Sequence, residues 1–472
     1  MATIALKNLS YTYPEAQAPT LNHVQLTFNP QQFTLLTGPS GTGKSTLLKL
    51  MTGLLSLPRT QGSISYDGQD LAEMALTDRA GQVALMFQNP NQQFAMDSVE
   101  NELIFALENR LVQPDQIDAK ITAALSFVGI SELRKRELNH LSGGEKQKVA
   151  LAVIVAMDSD VILLDEPFAS VDPAARASLL KRLVQLRDEA GKTIILADHD
   201  LTDYATIVDQ VVRITPARQL ATVPTSDWSA LFSAFAKTNQ SDQRWPLPDE
   251  TATPLFQLQQ VALKQGSHQL LQPTNLTLLK QHNTLITGPN GSGKSTLFES
   301  LVRLISYTGK ITYLTDDIQT LRRKRYARQV ALLFQDAETQ FLNITVAEEL
   351  AQSQKYVYGD YFTQARIDAA MAQLNLTGHE DQVIYTLSEG QKKKLQILIM
   401  LIMQSPVLLM DEPLKGLDLS SVHALVALLQ TTLASTKQSL IIISHQLTGL
   451  TPLIDYHLLF DQHQLQYREA TT

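Results

Sequence analysis

A glycine-rich segment occurs twice in this chain, and its repetition constrains the fold more than any other feature of the sequence. Residues 35–47 read LLTGPSGTGKSTL, and residues 285–297 read LITGPNGSGKSTL. Four more pairs follow in the same order: VALMFQ with VALLFQ, LSGGEKQKV with LSEGQKKKL, VILLDEP with VLLMDEP, and ILADH with IISHQ. The copies lie 246 to 250 residues apart throughout, so the chain contains a duplicated domain.

The length of 472 residues suits two domains, each large enough to bury a core. Short β-branched runs alternate with helical patterns in each copy, which predicts an α/β fold with a largely parallel sheet. From Gln88 to about Leu151 the pattern becomes helical, which predicts an inserted helical subdomain in each copy. We therefore assign residues 1–222 and 255–472 to the two domains, and residues 223–254, which are rich in polar residues and proline, to a linker.

The composition excludes several classes of function. The net charge of −8 argues against a nucleic-acid partner, because such binding needs concentrated Lys and Arg. The chain has no cysteine, which excludes disulfides, iron–sulfur clusters and zinc–thiolate sites. The N-terminal MATIALKNLS does not have the pattern of a signal peptide, and the longest apolar stretch, residues 395–410, is interrupted by polar residues and Pro406. We therefore expect no transmembrane span.

Both glycine-rich segments fit the pattern G-x-x-x-x-G-K-[ST], and each lies between an apolar strand and a helix. The glycines let backbone N–H groups turn towards a triphosphate, the lysine reaches the β- and γ-phosphates, and the serine ligates Mg²⁺. The residues that we expect to bind ATP here are Gly38, Ser40, Gly41, Thr42, Gly43, Lys44, Ser45 and Thr46 in the first copy, and Gly288, Asn290, Gly291, Ser292, Gly293, Lys294, Ser295 and Thr296 in the second.

An acidic pair ends an apolar strand in each copy, Asp165–Glu166 in the first and Asp411–Glu412 in the second. The first carboxylate of each pair is expected to organise Mg²⁺ together with the loop serine, and the second to polarise an attacking water. Acidic residues can simply close a strand, but a phosphate-binding loop in the same domain favours the catalytic interpretation.

Two more polar residues recur after strands in both copies. His199 and His445 each lie 34 residues beyond the aspartate of their copy, and we expect each to reach the γ-phosphate and the water-activating glutamate. Gln88 and Gln335 each follow a phenylalanine, and they are candidates for contact with Mg²⁺ or the attacking water.

The order of these motifs resembles that in the nucleotide-binding domains of ATP-binding cassette (ABC) proteins. The glycine-rich loop, the glutamine, LSGGE, LLDEP, a following aspartate (Asp172 or Asp418) and the histidine occur in that order in both copies, although LSGGE is altered in the second. The resemblance covers nearly the whole chain and implies two P-loop NTPase cassettes that hydrolyse ATP to ADP and phosphate, with ATP and Mg²⁺ as cofactors.

The family resemblance also implies that the two cassettes pair head to tail within the chain, so that no second ATPase chain is required. Each signature segment then completes the ATP site begun by the other cassette. The signature residues implied to bind ATP are Ser142, Gly143 and Gly144 in the first copy, and Ser388 and Gly390 in the second.

Residues 87–109, FQNPNQQFAMDSVENELIFALEN, are similar to the glutamine-loop region of energy-coupling-factor (ECF) transporter ATPases, which drive uptake of vitamins and transition metals. The resemblance implies a transmembrane coupling subunit and a substrate-binding membrane subunit as partners, and a location at the cytoplasmic face of the cell membrane. The candidate docking residues are NPNQQF at residues 89–94 and the acidic residues Glu100, Glu102, Glu348 and Glu349, although acidic residues also suit the start of a helix.

Two other ABC functions stay open. Soluble ABC-F-like translation factors also carry two cassettes, typically with a long basic linker and two intact signatures. The linker here is short and not basic, and the one basic run is RRKR at residues 322–325. Tandem sugar-importer ATPases are the second alternative.

The copies differ at two positions that bear on ATP. Tyr13 lies 25 residues before Gly38, where the family places an aromatic residue that stacks on adenine, although a tyrosine here can also simply pack before Pro14. The same offset in the second copy falls on Leu263. Glu389 replaces a signature glycine, which puts a carboxylate near the phosphates of the nucleotide on Lys44 unless it turns outward or pairs with a following lysine. We therefore expect both sites to bind ATP, and the site facing Glu389 to hydrolyse it more slowly.

Overall fold

The computed structural model divides the chain into two compact units, residues 1–236 and 237–472. It describes residues 3–14, 18–169, 171–233, 235, 244–249, 252–266, 268–334, 340–445, 447 and 449–469. Within these ranges each unit carries an antiparallel sheet, a mainly parallel sheet and a group of helices.

The first unit alternates strands and helices along its length. Its strands are β1 (Ile4–Tyr11), β2 (Leu21–Phe28), β3 (Phe33–Thr37), β4 (Ser63–Tyr66), β5 (Gln69–Asp70), β6 (Val83–Met86), β7 (Val161–Asp165), β8 (Thr193–Ala197), β9 (Gln210–Ile214) and β10 (Leu220–Thr222). Its α-helices are α1 (Lys44–Thr52), α2 (Leu76–Gln82), α3 (Val99–Asn109), α4 (Pro114–Val128), α5 (Gly143–Met157), α6 (Pro173–Asp188) and α7 (Thr225–Ser233).

The central sheet of the first unit has the strand order β10-β9-β3-β8-β7-β6, and all of its pairs are parallel except β10 with β9. The strands β3, β7 and β8 are buried along their whole length, as expected for a parallel sheet covered on both faces. The second sheet, β2-β1-β4-β5, is antiparallel. The prediction of an α/β fold with a largely parallel sheet is confirmed.

Helices α3, α4 and α5 form the predicted helical insertion between β6 and β7. Leu103 of α3, Leu125 of α4 and Val149 of α5 are buried in one hydrophobic core with the central sheet. The boundaries follow local sequence signals: Ser98 caps the start of α3, and Gly129, with a φ of 75°, ends α4.

The second unit repeats the first. Its strands are β11 (Pro254–Gln265), β12 (His268–Leu279), β13 (Asn283–Thr287), β14 (Thr308–Tyr313), β15 (Asp316–Asp317), β16 (Val330–Leu333), β17 (Val407–Asp411), β18 (Ser439–Ile443), β19 (Tyr456–Asp461) and β20 (Gln464–Tyr467). Its α-helices are α8 (Lys294–Leu301), α9 (Arg323–Ala327), α10 (Val346–Gln354), α11 (Gln364–Gln373), α12 (Glu389–Met403) and α13 (Leu419–Thr436).

The duplication extends to irregularities of the backbone. The second unit has an antiparallel sheet in the order β12-β11-β14-β15 and a central sheet in the order β16-β17-β18-β13-β19-β20. The pairing of β1 with β2 shifts register after Leu6 and after Leu9, and that of β11 with β12 shifts after Leu258 and after Val261. The two pairs of strands therefore share these two shifts, and the pairing of β11 with β12 has further shifts after Pro254 and after Leu263.

The segment that the sequence predicts as a linker, residues 223–254, contributes side chains to both units. In α7, Phe232 joins the core of the first unit, and Trp228 packs against its ring with centroids 6.1 Å apart. Trp245 is buried in the second unit, where it lies against His457 with ring centroids 5.1 Å apart.

Within the described ranges, α13 is the one helix long and apolar enough to cross a membrane by length and composition. Its Val422, Leu425 and Leu429 are buried in the core of the second unit. One face of α13 therefore packs in this core.

Candidate nucleotide sites

In each unit, the ends of adjacent parallel strands bring the predicted ATP-binding residues to one edge of the sheet. Strand β8 lies between β3 and β7, and its Ala197 is opposite both Leu36 and Asp165. The glycine-rich loop follows β3 and His199 follows β8, so both lie beside Asp165 and Glu166. Strands β13, β18 and β17 repeat this arrangement in the second unit.

The glycine-rich loop wraps around its own lysine in both units. Lys44 Nζ donates hydrogen bonds to the carbonyl oxygens of Gly38 (2.8 Å) and Pro39 (3.1 Å). The equivalent bonds of Lys294 measure 2.7 and 2.8 Å, and both lysines are buried. Each lysine is also the first residue of a helix, so its ammonium group and the helix N-terminus favour an anion at the same place.

Two loop positions require glycine. Gly288 has a φ of 152°, and a Cβ atom there would collide with the carbonyl oxygen of Phe460. Gly38 has a φ of 146°, and its Cβ atom would lie 3.1 Å from the carbonyl oxygen of Ile214. The loop backbone can therefore turn inward only without side chains at these positions.

The polar side chains of the loop are held locally. Thr42 Oγ1 donates to the carbonyl oxygen of Pro39 at 2.7 Å, and Ser40 Oγ lies 3.4 Å from His199 Nε2. In the second loop, Ser292 Oγ is buried without a hydrogen-bond partner among the described residues, which suits a group that bonds to a ligand.

The residues predicted to hold Mg²⁺ fit a hard cation. The Ser45 side chain hydrogen-bonds Asp165, and Ser295 makes the same contact with Asp411. Asp165 is buried, and its Oδ1 has no hydrogen-bond partner among the described residues. Burial, with a smaller contribution from the charge of Glu166, raises the pKa of Asp165 to about 6, so the nearby charges of Lys44 and Lys49 do not fully offset the cost of burying this carboxylate. Burial likewise raises the pKa of Asp411.

The protein supplies few ligands to each cation site. Across the described part of the chain, no group of three or more histidine, aspartate or glutamate side chains could hold a metal ion. A hydroxyl and one carboxylate per site are typical of Mg²⁺ that takes its other ligands from phosphate and water. The described residues therefore fit an ATP-bound Mg²⁺ at each site.

In the first site, Glu166 is held by two hydrogen-bond partners. His199 Nε2 lies 2.7 Å from Glu166 Oε1, and Gln88 Nε2 donates to Oε2 at 2.8 Å. Burial alone would raise the pKa of Glu166, but the attraction and hydrogen bond of His199, together with Lys44 and Gln88, outweigh it and hold this pKa below its usual range. Glu166 is therefore ionised and oriented. The structure brings Gln88, Glu166 and His199 together in the first unit.

The second site is built more loosely. His445 Nε2 lies 3.7 Å from Glu412 Oε1, and the closer contact is from the His445 backbone N–H to Oε2 at 3.3 Å. Burial, followed by the charge of Asp411, raises the pKa of Glu412 to about 7. Gln335, predicted as the counterpart of Gln88, lies outside the described residues.

Both glutamates lie in a left-handed backbone conformation. The φ angles of Glu166 and Glu412 are 46° and 47°, in a region that residues with a side chain rarely occupy. The backbone N–H of each donates to the neighbouring strand, to Ala197 at 2.8 Å and to Ile443 at 2.9 Å. These bonds hold the strained turn that aims each carboxylate at its histidine.

The signature segments form helix N-termini. Ser142 caps α5 in a capping box with Glu145, and Ser388 caps α12 in one with Gln391. Gly143 and Gly144 lie in the first turn of α5, and Glu389 and Gly390 in that of α12. The glycines in the first turn of α5 leave its N-terminus open to close approach by a phosphate, whereas Glu389 adds a side chain at the same position of α12.

The Glu389 side chain is partly exposed and is paired with a lysine. Lys392 Nζ lies 3.4 Å from Glu389 Oε1, and the side chains are 5% and 41% exposed, respectively. The sequence offers three following lysines as partners for the Glu389 carboxylate, and the structure identifies Lys392 as the one that pairs with it. Lys393 instead donates to the carbonyl oxygen of Phe334 at 3.2 Å.

Tyr13 lies beside the first glycine-rich loop, with its hydroxyl 3.2 Å from Thr46 Oγ1, and the residue is 38% exposed. The prediction that Leu263 is the counterpart of Tyr13 in the second unit is wrong. Leu263 is fully buried and pairs with Leu271, as Tyr11 pairs with Leu21 in the first unit.

Tyr13 lies two residues beyond this shared pair, and the residue two beyond Leu263 is Gln265. We therefore take Gln265 as the counterpart of Tyr13. Gln265 is exposed. The chain from Leu263 to Leu271 is two residues shorter than the chain from Tyr11 to Leu21, which is why a fixed offset from the glycine-rich loop fails. The second copy still has no aromatic residue at this position.

The acidic residues predicted as docking candidates make structural contacts within their own unit. Glu102 is buried and accepts hydrogen bonds from the backbone of Ala95 and Met96, so a docking role is wrong for this residue. Glu349 is also buried and accepts from the backbone of Leu342 and Asn343, which excludes it in the same way.

The two remaining acidic candidates also have structural partners. Glu100 pairs with Arg134 at 2.7 Å. Glu348 forms a capping box with Thr345 at the start of α10. The helix-start interpretation of these acidic residues is the one that their contacts support.

The amino-acid sequence matches the family model of the ABC transporter at residues 21–169 and 271–415, which together exceed half of the chain. The chain therefore belongs to the ABC transporter family, as two tandem ATPase cassettes with the P-loop NTPase fold. Members of this family bind ATP with Mg²⁺ and hydrolyse it.

Two relatives align over nearly the whole chain. A Methanosarcina acetivorans protein named as an ABC transporter ATP-binding protein is 30% identical, over 94% of this chain and 86% of its own length. The Bacillus subtilis protein YkoD, named for HMP/thiamine import, is 26% identical, over 98% of this chain and 91% of its own length. Both names are provisional.

The tandem fold also occurs among solved structures. An archaeal ribosome recycling factor, aABCE1, solved with the ribosomal stalk protein aP1, matches with a TM-score of 0.64. The match covers 96% of this chain and 87% of that chain at 20% identity, and it shows the fold alone.

Proposed function

We propose that this chain is the ATPase subunit of an ECF-type importer, which energises uptake of a vitamin or transition-metal micronutrient through membrane partner subunits. The observation that carries the proposal is an exposed apolar surface beside the glutamine-loop region of the second unit. Leu342, Ile344 and Tyr385 are 81%, 65% and 73% exposed, and we call them the apolar patch. Such a surface suits a protein partner better than a phosphate backbone.

The apolar patch is held by backbone contacts. The backbone N–H of Ile384 donates to the carbonyl oxygen of Ile344 at 2.9 Å, which joins the two segments of the patch. Glu349 fixes the adjoining loop through Leu342 and Asn343. A surface preorganised in this way loses little entropy when a partner binds.

Two further observations support the importer. The relative YkoD carries a name that refers to import of HMP/thiamine, a vitamin-class substrate. The chain also has a net charge of −8, which disfavours binding to ribosomal RNA. We propose a transmembrane coupling subunit and a substrate-binding membrane subunit as partners, with the chain at the cytoplasmic face of the cell membrane.

Each residue of the first site has a separate role in ATP hydrolysis. Ser45 and Asp165 would hold Mg²⁺, which supplies positive charge against the phosphates. Lys44 and the loop N–H groups bind the phosphates. The ionised Glu166 carboxylate accepts a proton from a water placed against it, and His199 orients that carboxylate through Oε1.

We further propose that the two cassettes pair head to tail within the chain. The nucleotide on Lys44 would then face Ser388 and Glu389, and the nucleotide on Lys294 would face Ser142. Two glycine-rich loops and two capped signature helices in one chain support this pairing. ATP binding would close the pair, and hydrolysis would reopen it to drive the membrane partner.

A ribosomal role, as in ABC-F-like translation factors, is the alternative. The basic run at residues 322–325 is exposed at the start of α9 and is the feature that favours it. A single short cluster of this kind is more often a solvated surface.

The test is affinity purification of the tagged chain from detergent-solubilised membranes of its own cells. The importer predicts that small membrane proteins co-purify in a fixed ratio, whereas ribosomal subunits would support the alternative and overturn the proposal. The double variant Leu342→Ser, Ile344→Ser should lose the membrane partners and keep ATP binding.

The matched control is Leu304→Ser, which removes an apolar side chain that is 51% exposed outside the apolar patch. This variant should retain the partners. Equal loss of partners in both would show that the patch is not the docking surface.

A further inference from the structure

A buried charged cluster lies directly behind the catalytic histidine of the first unit. Asp198 Oδ1 accepts hydrogen bonds from the backbone N–H groups of His199 (2.7 Å) and Asp200 (3.1 Å). Asp198 Oδ2 accepts from the hydroxyl of Tyr204 at 2.6 Å. One carboxylate thus fixes the backbone on which the His199 imidazole is mounted.

Arg176, from α6, joins the same cluster. Its Nη1 donates to Asp200 Oδ2 at 2.6 Å, its Nη2 lies 3.5 Å from Asp198 Oδ2, and its guanidinium carbon lies 5.2 Å from the centre of the Tyr204 ring. The side chains of Arg176, Asp198 and Tyr204 are buried. We refer to these three residues as the Arg176 cluster.

The second unit builds the equivalent segment without buried charge. Asp172 and Asp418 cap α6 and α13, which aligns Arg176 with Val422. By the same spacing, Ser444 replaces Asp198 and Leu450 replaces Tyr204, and all three replacements are fully buried. Residue 446, the equivalent of Asp200, lies outside the described residues.

Apolar residues at two of these positions therefore suffice to fold the segment. Burying an arginine and a carboxylate costs desolvation energy that well-packed apolar side chains avoid. The Arg176 cluster thus calls for a role beyond folding.

The contact between the catalytic histidine and glutamate also differs between the two units. The distance from the histidine Nε2 to the glutamate Oε1 is 2.7 Å for His199 and Glu166, and 3.7 Å for His445 and Glu412. The histidine side chains are 8% and 23% exposed, respectively. The contact is tighter in the unit that contains the Arg176 cluster.

We propose that Arg176, Asp198 and Tyr204 are positioning residues for ATP hydrolysis in the first unit, which hold His199 against Glu166 before the reaction begins. A displacement of about 1 Å in a catalytic group can cost on the order of 100-fold in rate, so fixing the backbone of His199 bears directly on turnover. This inference rests on ATP hydrolysis and is independent of whether the partner is an importer.

The experiment measures kcat and KM for ATP, together with the melting temperature, on the purified full-length chain. Tyr204→Phe keeps the ring and removes the hydroxyl that orients Asp198. Where Glu412→Gln silences the second site, this variant should lower kcat about threefold to tenfold with KM within twofold. Asp198→Ala should lower kcat further, and Asp198→Asn should restore much of it because the amide oxygen still accepts backbone N–H groups. The series is repeated in the Glu412→Gln background, which retains the glutamate of the first site.

The matched control is Tyr66→Phe. Tyr66 is also buried in the first unit, and its hydroxyl donates to the carbonyl oxygen of Met51 at 2.7 Å, in the last turn of α1. Its loss should lower the melting temperature and leave kcat unchanged.

The control also decides the outcome. If Tyr204→Phe lowers the melting temperature as Tyr66→Phe does, with kcat unchanged in both backgrounds, the cluster only stabilises the fold and the proposal is overturned. If Asp198→Ala does not fold, the comparison of the two tyrosine variants decides.

Discussion

Lys392 holds the carboxylate of Glu389, with its Nζ 3.4 Å from Oε1. The two residues are three positions apart on the first turn of α12, so the contact is made within one helix. In the head-to-tail pairing that we propose, Glu389 faces the phosphates bound by the first unit. The ion pair then reduces the repulsion that an acidic residue would exert on them.

Removing the lysine should therefore expose this repulsion. We expect Lys392→Met to lower ATP turnover at the first site, isolated by Glu412→Gln, about twofold to fivefold, which corresponds to the loss of an ion pair worth up to about 1 kcal/mol. In a Glu389→Gly background, the same substitution should have no effect, because there is no carboxylate to compensate. Steady-state hydrolysis by the four proteins of this double-mutant cycle measures the coupling.

Lys146→Met is the matched control for this cycle. Lys146 occupies the same position in the first signature helix, where Gly143 stands in place of the glutamate. An equal loss of turnover in Lys146→Met and Lys392→Met would contradict the role of the ion pair.

The two catalytic glutamates should contribute unequally to turnover. We expect Glu412→Gln to cost more than Glu166→Gln, because the site of Glu166 faces Glu389. The tighter contact of Glu166 with His199 acts in the opposite direction. The comparison is made on the complex assembled with its membrane partner. Near-normal turnover in Glu412→Gln, with none in Glu166→Gln, would show that the assignment of the slower site is wrong.

Adenine recognition should also differ between the sites. With Lys44→Ala weakening the first site, Gln265→Tyr should tighten ATP binding at the second by about fivefold or more, since stacking on a base contributes roughly 1–3 kcal/mol. Titration calorimetry on the full chain measures the affinity. Unchanged affinity in Gln265→Tyr would count against a stacking role at this position.

Leu263→Tyr tests the corrected alignment. Leu263 is fully buried in β11, so a larger side chain there should lower the free energy of unfolding by about 1–3 kcal/mol. A stable Leu263→Tyr variant that binds ATP more tightly would restore the alignment based on a fixed offset.

His457 should make the stability of the second unit depend on pH. Its ring is fully buried, and burial, with a smaller contribution from Arg468, lowers its pKa from 6.5 to about 4. Below pH 6.5 the unfolded chain takes up a proton that the folded unit does not, so stability falls as the pH falls towards 4. We expect a loss of roughly 2 kcal/mol between pH 7 and pH 5.

Trp245 reports on this unit because it lies against His457, and Trp228→Phe removes the other tryptophan of the chain. Denaturant unfolding in this background, followed by tryptophan fluorescence, gives the free energy at each pH. His457→Phe should abolish this part of the pH dependence. If the pH dependence of stability is the same with and without His457, the ring does not titrate as stated.

The features that could be predicted from sequence are those set by contiguous residues. The glycine-rich loop is specified by the need for backbone turns at positions such as Gly38, and the strand before it by a short apolar run. Parallel strands then bring Asp165 and His199 to the same edge without further information. The α/β fold and the grouping of the first site follow from these local signals.

The features that could not be predicted depend on contacts between distant segments. Arg176 meets Asp198 only because α6 packs beside the loop after β8, and neither residue has a local motif. Glu102 and Glu349 look like exposed helix-start residues, but each folds back onto the loop before its helix. The alignment of Leu263 with Tyr13 failed for a similar reason, because strand register depends on the length of the turn between the strands.

The left-handed backbone conformation of Glu166 and Glu412 lowers the stability of the fold, whereas their carboxylates are needed for ATP hydrolysis. Backbone strain of this kind costs on the order of 1–3 kcal/mol, and asparagine or glycine would occupy the same φ angle with less strain. A cassette that lost its glutamate to either residue would fold at least as well and would hydrolyse little ATP. Selection for stability alone would therefore replace the glutamate at these two positions, yet both copies retain it. In a relative, a cassette that has lost ATP hydrolysis should be recognisable by asparagine or glycine in this turn.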